Sequence, residues 1–287
     1  MASSPEPTAT KLQPEFYISA HGIQRGQNIR ALELLQGTSP GEARQERQFL
    51  DLGCGTGDFT RDHILPRYSP CRRIVGADVS IEMIEFARKN FPHPKICYDL
   101  LDISASDVTD FAQKHGQFDR VFSFFCLHWM KDQKTALKNV AALMKPGGDC
   151  LLLFNAYTHT TLMRRKLARM DRWKKYAEEC ERSVPPTVDL VGKGKDALIS
   201  YMQDLLRTAD LMPIICDVWP LPPENNTLDK MIEKRMGYCH LSTLVTEEER
   251  PVLLQDVTEY AKEAMAQKEA GCPTPEGEAF FVHACKL

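Results

Sequence analysis

Long apolar runs are missing from this chain of 287 residues. A membrane-spanning helix needs about 18 or more consecutive apolar residues. The segment 121–130 is shorter than that and is interrupted by Ser and His. We therefore expect no membrane span. Residues 1–14 also lack the charged start and apolar core of a signal peptide, and their Ser, Pro and Thr content predicts a disordered tail.

An excess of one charge and closely spaced cysteines are missing as well. The chain has 36 Lys and Arg against 39 Asp and Glu, and the basic residues are scattered rather than gathered in a stripe. Nucleic acid is therefore not an expected partner. The ten cysteines include no C-x-x-C pair and no His/Cys cluster at metal-ligand spacing. This pattern predicts no metal site and reduced, mostly buried thiols in a cytosolic protein.

The chain does contain an acid and three alternating glycines at the end of an apolar run. Asp51 is followed closely by Gly53, Gly55 and Gly57. Such a segment predicts a buried strand that turns sharply into a helix, with bare backbone for a nucleotide-like ligand. The spacing is G-x-G-x-G, whereas the dinucleotide fingerprint is G-x-G-x-x-G. A pyrophosphate cradle is therefore not the best fit.

A second acid follows the next short apolar run. Asp78 ends the segment that begins at Ile74 and lies about 20 residues after Gly57, the distance expected for a ribose-binding acid after a β-α-β turn. A carboxylate at this position can accept hydrogen bonds from both ribose hydroxyls. The ligand that the turn predicts is therefore one with a nucleoside.

Strands and helices alternate through the first half of the chain. A helix over 19–35 precedes the first strand, Ser80 is the expected N-cap of a helix over 81–88, and Lys145-Pro146-Gly147-Gly148 should stop another helix. This alternation predicts a parallel sheet covered by helices on both faces. The expected strands are 48–52, 74–78, 95–98, 118–124, 149–155, 214–218 and 279–284.

Two long segments around the sixth strand do not fit this alternation. Residues 158–210 are charged and largely helical in pattern, and 225–272 add more helix. Both are too long for ordinary connections between sheet elements. We expect them to form a helical cap on a single domain, 15–287. The alternative is that they only cover apolar surface.

The fourth strand is followed by Leu127-His128-Trp129. Ligands of open α/β sheets bind outside the carboxyl ends of the strands, and this triplet lies there. A histidine beside a tryptophan can donate a hydrogen bond to a substrate oxygen while the indole forms an apolar wall. The alternative is that Trp129 packs on the core and His128 is a satisfied, partly buried residue.

The glycine turn, Asp78 and the K-P-G-G turn together resemble the class I S-adenosylmethionine-dependent methyltransferases. The resemblance implies a Rossmann-like, seven-stranded, mostly parallel sheet and S-adenosylmethionine as cofactor. It also implies that the acid after the third strand, Asp102, bonds the adenine amino group, although an Asp after a strand is equally an ordinary turn residue. The residues assigned to the cofactor in this way are Asp51, Gly53, Cys54, Gly55, Gly57, Asp78, Val79, Asp102, Ile103 and Ser123.

Within that class the chain is similar to the juvenile hormone acid methyltransferases. These enzymes carry a Leu-His-Trp after the fourth strand, and an amino-terminal Tyr followed by an apolar-Gln-basic triplet, which Tyr17 and Ile23-Gln24-Arg25 match. The resemblance implies that Gln24, His128 and Trp129 surround the carboxyl group of a farnesoid acid.

The expected function is methyl transfer to the carboxylate of a small apolar acid, such as farnesoic or juvenile hormone acid. A carboxylate is already ionised at neutral pH, so neutral donors suffice and no strong base is needed. One alternative is a methyltransferase for amines or phenols, in which His128 acts as a base. Another is a noncatalytic protein that binds S-adenosylmethionine and regulates a partner. The oligomeric state is left open.

Overall fold

The structure is a computed structural model, and the description that follows covers part of the chain. The predicted tail lies outside the described residues except for Pro14, and so does Tyr17. The described residues are 14–15, 18, 22–36, 45–182, 184–222, 227–271 and 277–287.

The first half of the chain alternates between strands and helices, as predicted. A π-helical turn, Thr60–Ile64, runs directly into the second helix, and a 3-10 turn, Leu127–Trp129, follows the fourth strand. The elements in chain order are α1 Gly22–Gln36, β1 Gln48–Leu52, α2 Leu65–Tyr68, β2 Arg73–Asp78, α3 Ile81–Asn90, β3 Ile96–Leu100, α4 Thr109–His115, β4 Phe118–Phe124, α5 Gln133–Leu143 and β5 Met144–Thr158.

The second half supplies the remaining two strands and most of the extra helix. Short 3-10 turns at 171–176, 186–190 and 240–243 separate the helices. The elements are α6 His159–Ala168, α7 Ala177–Arg182, α8 Lys195–Arg207, β6 Leu211–Pro220, α9 Leu228–Gly237, α10 Arg250–Glu269 and β7 Gly277–Lys286.

The strands form one seven-stranded sheet in the order β3-β2-β1-β4-β5-β7-β6. All neighbours are parallel except β7, which runs antiparallel to both β5 and β6. The predicted fold class is therefore confirmed. Strand order reverses between β1 and β4, where Leu52 lies beside Ser123. Such a switch point opens a ligand crevice at the carboxyl ends of the strands.

Helices cover both faces of the sheet because the central strands are apolar on both sides. On one face, Leu32 and Leu35 of α1 pack with Phe122 and Leu153. On the other face, helices α5 and α8 pack against the alternate residues of the same strands. Burial of the central strands explains why they appear in the sequence as continuous apolar runs.

The predicted K-P-G-G turn is present as a bulge at the start of β5. Strand pairing moves from Phe118 with Met144 to Arg120 with Asp149, so residues 145–148 lie outside the regular ladder. Gly147 has a φ of 70°, a conformation that favours glycine. The helix therefore ends where the sequence predicts, and the strand begins before the turn rather than after it.

The two long segments around β6 share a hydrophobic cluster of their own. Trp173 from the first segment is 1% exposed and donates from Nε1 to Asp256 of α10 at 2.7 Å. Helix α8, within the first segment, packs on the main sheet instead. The cluster consists of Met163, Leu167, Ala168, Trp173, Cys180, Cys239, Leu241, Val245, Leu253 and Val257.

Among the described residues, no helix combines the length and apolar character that a membrane crossing requires.

Candidate active site

The glycine turn lies at the carboxyl end of β1, beside the switch point. Gly53, Gly55 and Gly57 have φ angles of 75°, 53° and 78°, which L side chains rarely adopt. A Cβ on Gly53 would lie 2.5 Å from Cys126 Cβ, and one on Gly57 would lie 2.7 Å from the Tyr98 ring. Neighbouring side chains therefore pack directly on the backbone of the turn, and two of its glycines have no room for a side chain.

Asp78, at the end of β2, is hydrogen-bonded to this turn. Its Oδ2 accepts from the Gly55 amide and its Oδ1 from the Ser80 amide, both at 3.0 Å. Burial raises the pKa of Asp78, while the hydrogen bonds from Ser80, Gly55 and Val79 lower it. Each carboxylate oxygen carries two lone pairs, so the group can still accept hydroxyl protons.

Apolar side chains are exposed next to this carboxylate. Val79 directly follows Asp78 and is 65% exposed, and Leu100 at the end of β3 is 44% exposed. Large apolar side chains exposed at the rim of a cleft are typical of ligand-binding surfaces. The turn, the carboxylate and the apolar rim have the chemical character that a nucleoside site requires, and the contacts of the ribose with Asp78 and of the base with Val79 stay predictions.

Asp51 lies buried beneath the turn. The Thr60 hydroxyl donates to Asp51 Oδ2 at 2.6 Å. Burial, only partly offset by this hydrogen bond, together with repulsion from Asp78 raises the pKa of Asp51 to about 7. Its 3% exposure leaves the carboxyl inside the protein, supporting the turn from below.

Asp102 closes a turn after β3. Its Oδ1 accepts from the Ser104 amide at 2.8 Å and from the Ser104 hydroxyl at 2.6 Å, which is the ordinary turn role that the sequence left open. The Ile103 side chain is buried in the core, so only its backbone can face a ligand. Contacts of either residue with the adenine stay predictions.

Two more of the predicted cofactor residues point their side chains into the protein. Cys54 packs with Tyr98 and Ile84, and burial raises the pKa of its thiol well above the usual range. The Ser123 hydroxyl donates to the Leu52 carbonyl at 3.1 Å and joins β4 to β1. These side chains therefore stabilise the turn, and any contact with a cofactor would come from their backbone.

A strained residue lies between β4 and the triplet Leu127-His128-Trp129. Phe125 has a φ of 51°, rare for a bulky side chain, and its amide donates to the Leu153 carbonyl at 2.6 Å. The chain then turns and presents His128 and Trp129 with ring centroids 5.0 Å apart. Trp129 is 55% exposed, so it does not pack on the core.

His128 is half-buried and neutral. Its Nδ1 is buried and has no hydrogen-bond partner among the residues that the structure describes. Burial, and then the nearby Arg164 guanidinium, lower the pKa of His128 to about 3. A neutral imidazole can donate one hydrogen bond to a ligand and is a weak base.

Arg164, on α6, is a residue of this region that the sequence did not single out. Burial lowers the pKa of its guanidinium, and its Nη2 donates to the Tyr238 carbonyl. The sequence placed it only within the charged, largely helical segment 158–210. Its proximity to His128 depends on how α6 leaves the sheet, and no local pattern carries that information.

Helix α1 begins near the glycine turn, because Arg25, the neighbour of Gln24, contacts Asp58. Asn28, Leu32 and Leu35 form the buried face of the helix, and Gln24 lies one turn before Asn28 and is half-buried. Arg25 Nη2 donates to Asp58, at the end of the glycine turn. Within the described part of the chain, no hydrogen bond joins Gln24 to His128.

Comparisons with known proteins agree with this geometry. A family model described as "Methyltransferase domain" matches residues 50–152, from β1 into β5. The fold, the turn and this match define the class: the chain has the domain of the S-adenosylmethionine-dependent methyltransferases. S-adenosylmethionine is the cofactor of that class.

Within the class, the chain is similar to two juvenile hormone acid O-methyltransferases. The protein of Bombyx mori is 33% identical over 177 residues, 61% of this chain and 62% of that protein. The protein of Drosophila melanogaster is 31% identical over 176 residues, 61% of this chain and 59% of that protein. The matched part thus spans about three fifths of the length of these relatives. Among solved structures, the YcgJ protein of Bacillus subtilis shares the fold, with a TM-score of 0.50 at 16% identity over 90% of this chain and 98% of that one.

Proposed function

We propose that this protein transfers the methyl group of S-adenosylmethionine to the carboxylate of a small apolar acid. The observation that carries the proposal is the neutral imidazole of His128 beside the exposed indole of Trp129, at the carboxyl end of β4. The similarity to two juvenile hormone acid O-methyltransferases supports the same reading. The acids to consider first are therefore farnesoic and juvenile hormone acid.

The chemistry needs few groups from the protein. Bound S-adenosylmethionine supplies a methyl group on a sulfonium, which a carboxylate can accept by direct displacement. An ordinary carboxylic acid has a pKa of about 4 to 5, so the acceptor arrives ionised. The task of the side chains is alignment and the replacement of water around the carboxylate, effects that can be worth up to roughly 7 to 11 kcal/mol.

His128 and Gln24 suit that task as neutral donors. An imidazole whose pKa is about 3 stays neutral at physiological pH, so it can donate to a carboxylate without taking its proton. Trp129 is positioned to form an apolar wall next to the carboxyl group. Arg164 adds a positive charge near His128, which favours an anionic acceptor over a cationic one.

The two segments around β6 are proposed to close over the acceptor as a cap. Their shared cluster around Trp173 holds α6 and α10 together, and α6 carries Arg164 to His128. Hydrogen exchange in 159–182 should slow when S-adenosylhomocysteine and the acid are bound together. Equal exchange with and without ligands would reduce the segments to a structural cover.

The experiment for the proposed function is a screen of methyl acceptors with labelled S-adenosylmethionine. Farnesoic acid, juvenile hormone acid and simple fatty acids are compared with farnesol, which has the same carbon skeleton as farnesoic acid but no carboxylate. A phenol and an amine test the rival acceptor classes. Label should appear in the methyl ester of at least one acid and not in farnesol. Transfer only to the phenol or the amine, or to nothing while the cofactor binds, would contradict the proposal.

A further inference from the structure

Arg25 ties α1 to the segment that follows the glycine turn. Its Nη2 donates to Asp58 Oδ2, and its Nη1 lies 3.4 Å from His63 Nε2. Asp58 directly follows Gly57, and its side chain is only 6% exposed. The Arg25 guanidinium therefore contacts two side chains at the start of the helical segment that follows the turn. In the sequence, Arg25 directly follows Gln24.

Asp58 is held by the turn as well. The Thr56 hydroxyl donates to Asp58 Oδ1 at 2.6 Å, and Thr56 lies between Gly55 and Gly57. The carboxylate thus joins the turn on one oxygen and Arg25 on the other. Charge-assisted hydrogen bonds to a buried carboxylate are strong, and breaking one leaves a buried charge without compensation. A displacement of the turn should therefore be transmitted to α1.

His63 provides Arg25 with a second contact in the segment after the glycine turn. Its ring stacks on Phe59 with centroids 4.9 Å apart and an interplanar angle of 25°. Burial, and then the positive charges of Arg25 and Arg67, lower the pKa of His63. A neutral imidazole can accept a hydrogen bond from the guanidinium, so Arg25 has two hydrogen-bond acceptors in the segment behind the turn.

We propose that Arg25 is a positioning residue: its ion pair with Asp58 transmits the occupancy of the cofactor turn to α1 and so places Gln24 for the acceptor. This inference rests on the proposed function, in which the turn binds S-adenosylmethionine. A ligand that orders the turn also orders the partner of Arg25. Cofactor and acceptor should then bind with positive coupling, typically about 5- to 150-fold in affinity between two coupled sites.

Arg30 provides a matched control on the same helix. Its guanidinium lies over the Trp219 ring, 4.5 Å from the centroid, and so holds α1 on the sheet at β6 rather than at the turn. Removing Arg30 also removes an arginine contact of α1. It leaves the link to Asp58 intact.

The experiment measures hydrogen exchange of residues 22–36 with and without S-adenosylhomocysteine, whose binding is followed by calorimetry. In the wild type and in Arg30→Ala, the ligand should slow exchange by roughly 5- to 150-fold, the range of a typical coupling between sites. In Arg25→Ala and Asp58→Asn, the ligand should still bind but the protection of 22–36 should be lost. Arg25→Lys should restore part of it, because the charge remains without the planar fork.

Each other outcome has a definite meaning. Binding without protection of 22–36 in the wild type overturns the coupling and leaves the proposed function standing. Protection that persists in Arg25→Ala and Asp58→Asn also overturns it. Absence of S-adenosylhomocysteine binding to the wild type overturns the proposed function, and this inference with it. If Arg25→Ala does not fold, the nearly isosteric Asp58→Asn carries the test.

Discussion

The Gly55 amide donates a hydrogen bond to Asp78 Oδ2 at 3.0 Å, so the acid at the end of β2 is tied to the turn at the end of β1. The proposed ribose acceptor thereby also fixes the backbone on which the cofactor would lie. Two adjacent parallel strands are enough to build this arrangement, since β1 and β2 pair with Leu52 beside Ala77. Substitution of Asp78 should therefore affect both the cofactor and the turn.

Asp78→Ala should weaken S-adenosylhomocysteine binding strongly. Each hydrogen bond between a ribose hydroxyl and a charged group is worth about 1.5 to 3 kcal/mol, or roughly tenfold to a hundredfold in affinity. Calorimetry measures the change, with Asp204→Ala, an exposed acid on α8, as control. Unchanged affinity, or binding of NADH in place of S-adenosylhomocysteine, would show that the turn has been assigned to the wrong ligand.

Asp51→Asn should stabilise the protein at alkaline pH. The native pKa of about 7 lies above the usual 3.8, so the folded state holds a proton that the unfolded state has released between these values. The free energy of unfolding therefore falls as pH rises from about 4 to about 7, by at most about 4 kcal/mol at about 1.4 kcal/mol per pKa unit. Asn keeps an acceptor for the Thr60 hydroxyl and carries no charge.

Urea unfolding of both proteins at pH 5 and pH 8 measures the difference. The advantage of Asp51→Asn should be larger at pH 8 than at pH 5, by on the order of 1 to 3 kcal/mol, because about one pKa unit of the loss has already occurred by pH 5 and any cost of the buried Asn amide is the same at both pH values. Asp204→Asn, at an exposed position, should show no such pH dependence. An equal difference at the two pH values would mean that Asp51 is ionised across the whole range.

His128→Ala should lower kcat/KM for the best acid about tenfold to a hundredfold, the effect of losing one neutral donor to a charged group. His128→Asn, which keeps an N–H donor, should retain more activity. Because the native pKa is about 3, His128 should add no titration step to kcat/KM between pH 5 and pH 9. Asp51 titrates near 7, so the profile is best measured in Asp51→Asn.

The same depressed pKa has a consequence for stability. The unfolded chain binds a proton at His128 below about pH 6.5, while the folded protein does not until about pH 3. Stability from this group is therefore present above pH 6.5 and is lost as pH falls. The activity profile separates the two roles of His128. If the wild type showed a titration of kcat/KM near neutral pH that His128→Ala removed, the imidazole would be acting as a base and the donor role would be wrong.

Local features of the sequence were sufficient for much of the fold. The apolar runs at 48–52 and 118–124 gave strands with the observed ends, and Ser80 caps α3 by accepting from the Met83 amide at 3.2 Å. The glycine turn and Asp78 were predictable for a similar reason. Positive φ angles favour glycine at fixed positions of the turn, and the length of a βαβ unit fixes how far the next acid lies from it, so both can be recognised in the sequence.

The remaining contacts of the site are not indicated by any residue pattern at fixed spacing. Arg25 and Asp58 are 33 residues apart, and their pairing depends on how α1 crosses the sheet. Cys126 packs on Gly53 because β1 and β4 are neighbours, a fact of topology rather than of spacing. Turn residues indicate the local conformation of each short segment, whereas these contacts join segments that only the assembled sheet brings together.

Gly53→Ala should destabilise the protein more than its positive φ alone requires. Gly192 has a similar φ, 83° against 75°, but a Cβ there meets nothing within 4 Å, so Gly192→Ala measures the cost of the backbone conformation alone, about 1 to 2 kcal/mol. At Gly53, the Cβ would also meet Cys126 Cβ at 2.5 Å and Sγ at 2.6 Å. Such overpacking adds about 1 to 3 kcal/mol.

A double-mutant cycle isolates that second contribution. Cys126→Gly removes both atoms that the new Cβ would strike, so in the Gly53→Ala background it should cost less than it does in the wild type. The expected coupling in urea unfolding is about 1 to 3 kcal/mol. Pairing Gly192→Ala with Cys126→Gly should give simple addition. A coupling near zero at Gly53 would mean that the backbone of the turn shifts to avoid Cys126. The segment after β4 would then not fix the backbone of the cofactor site.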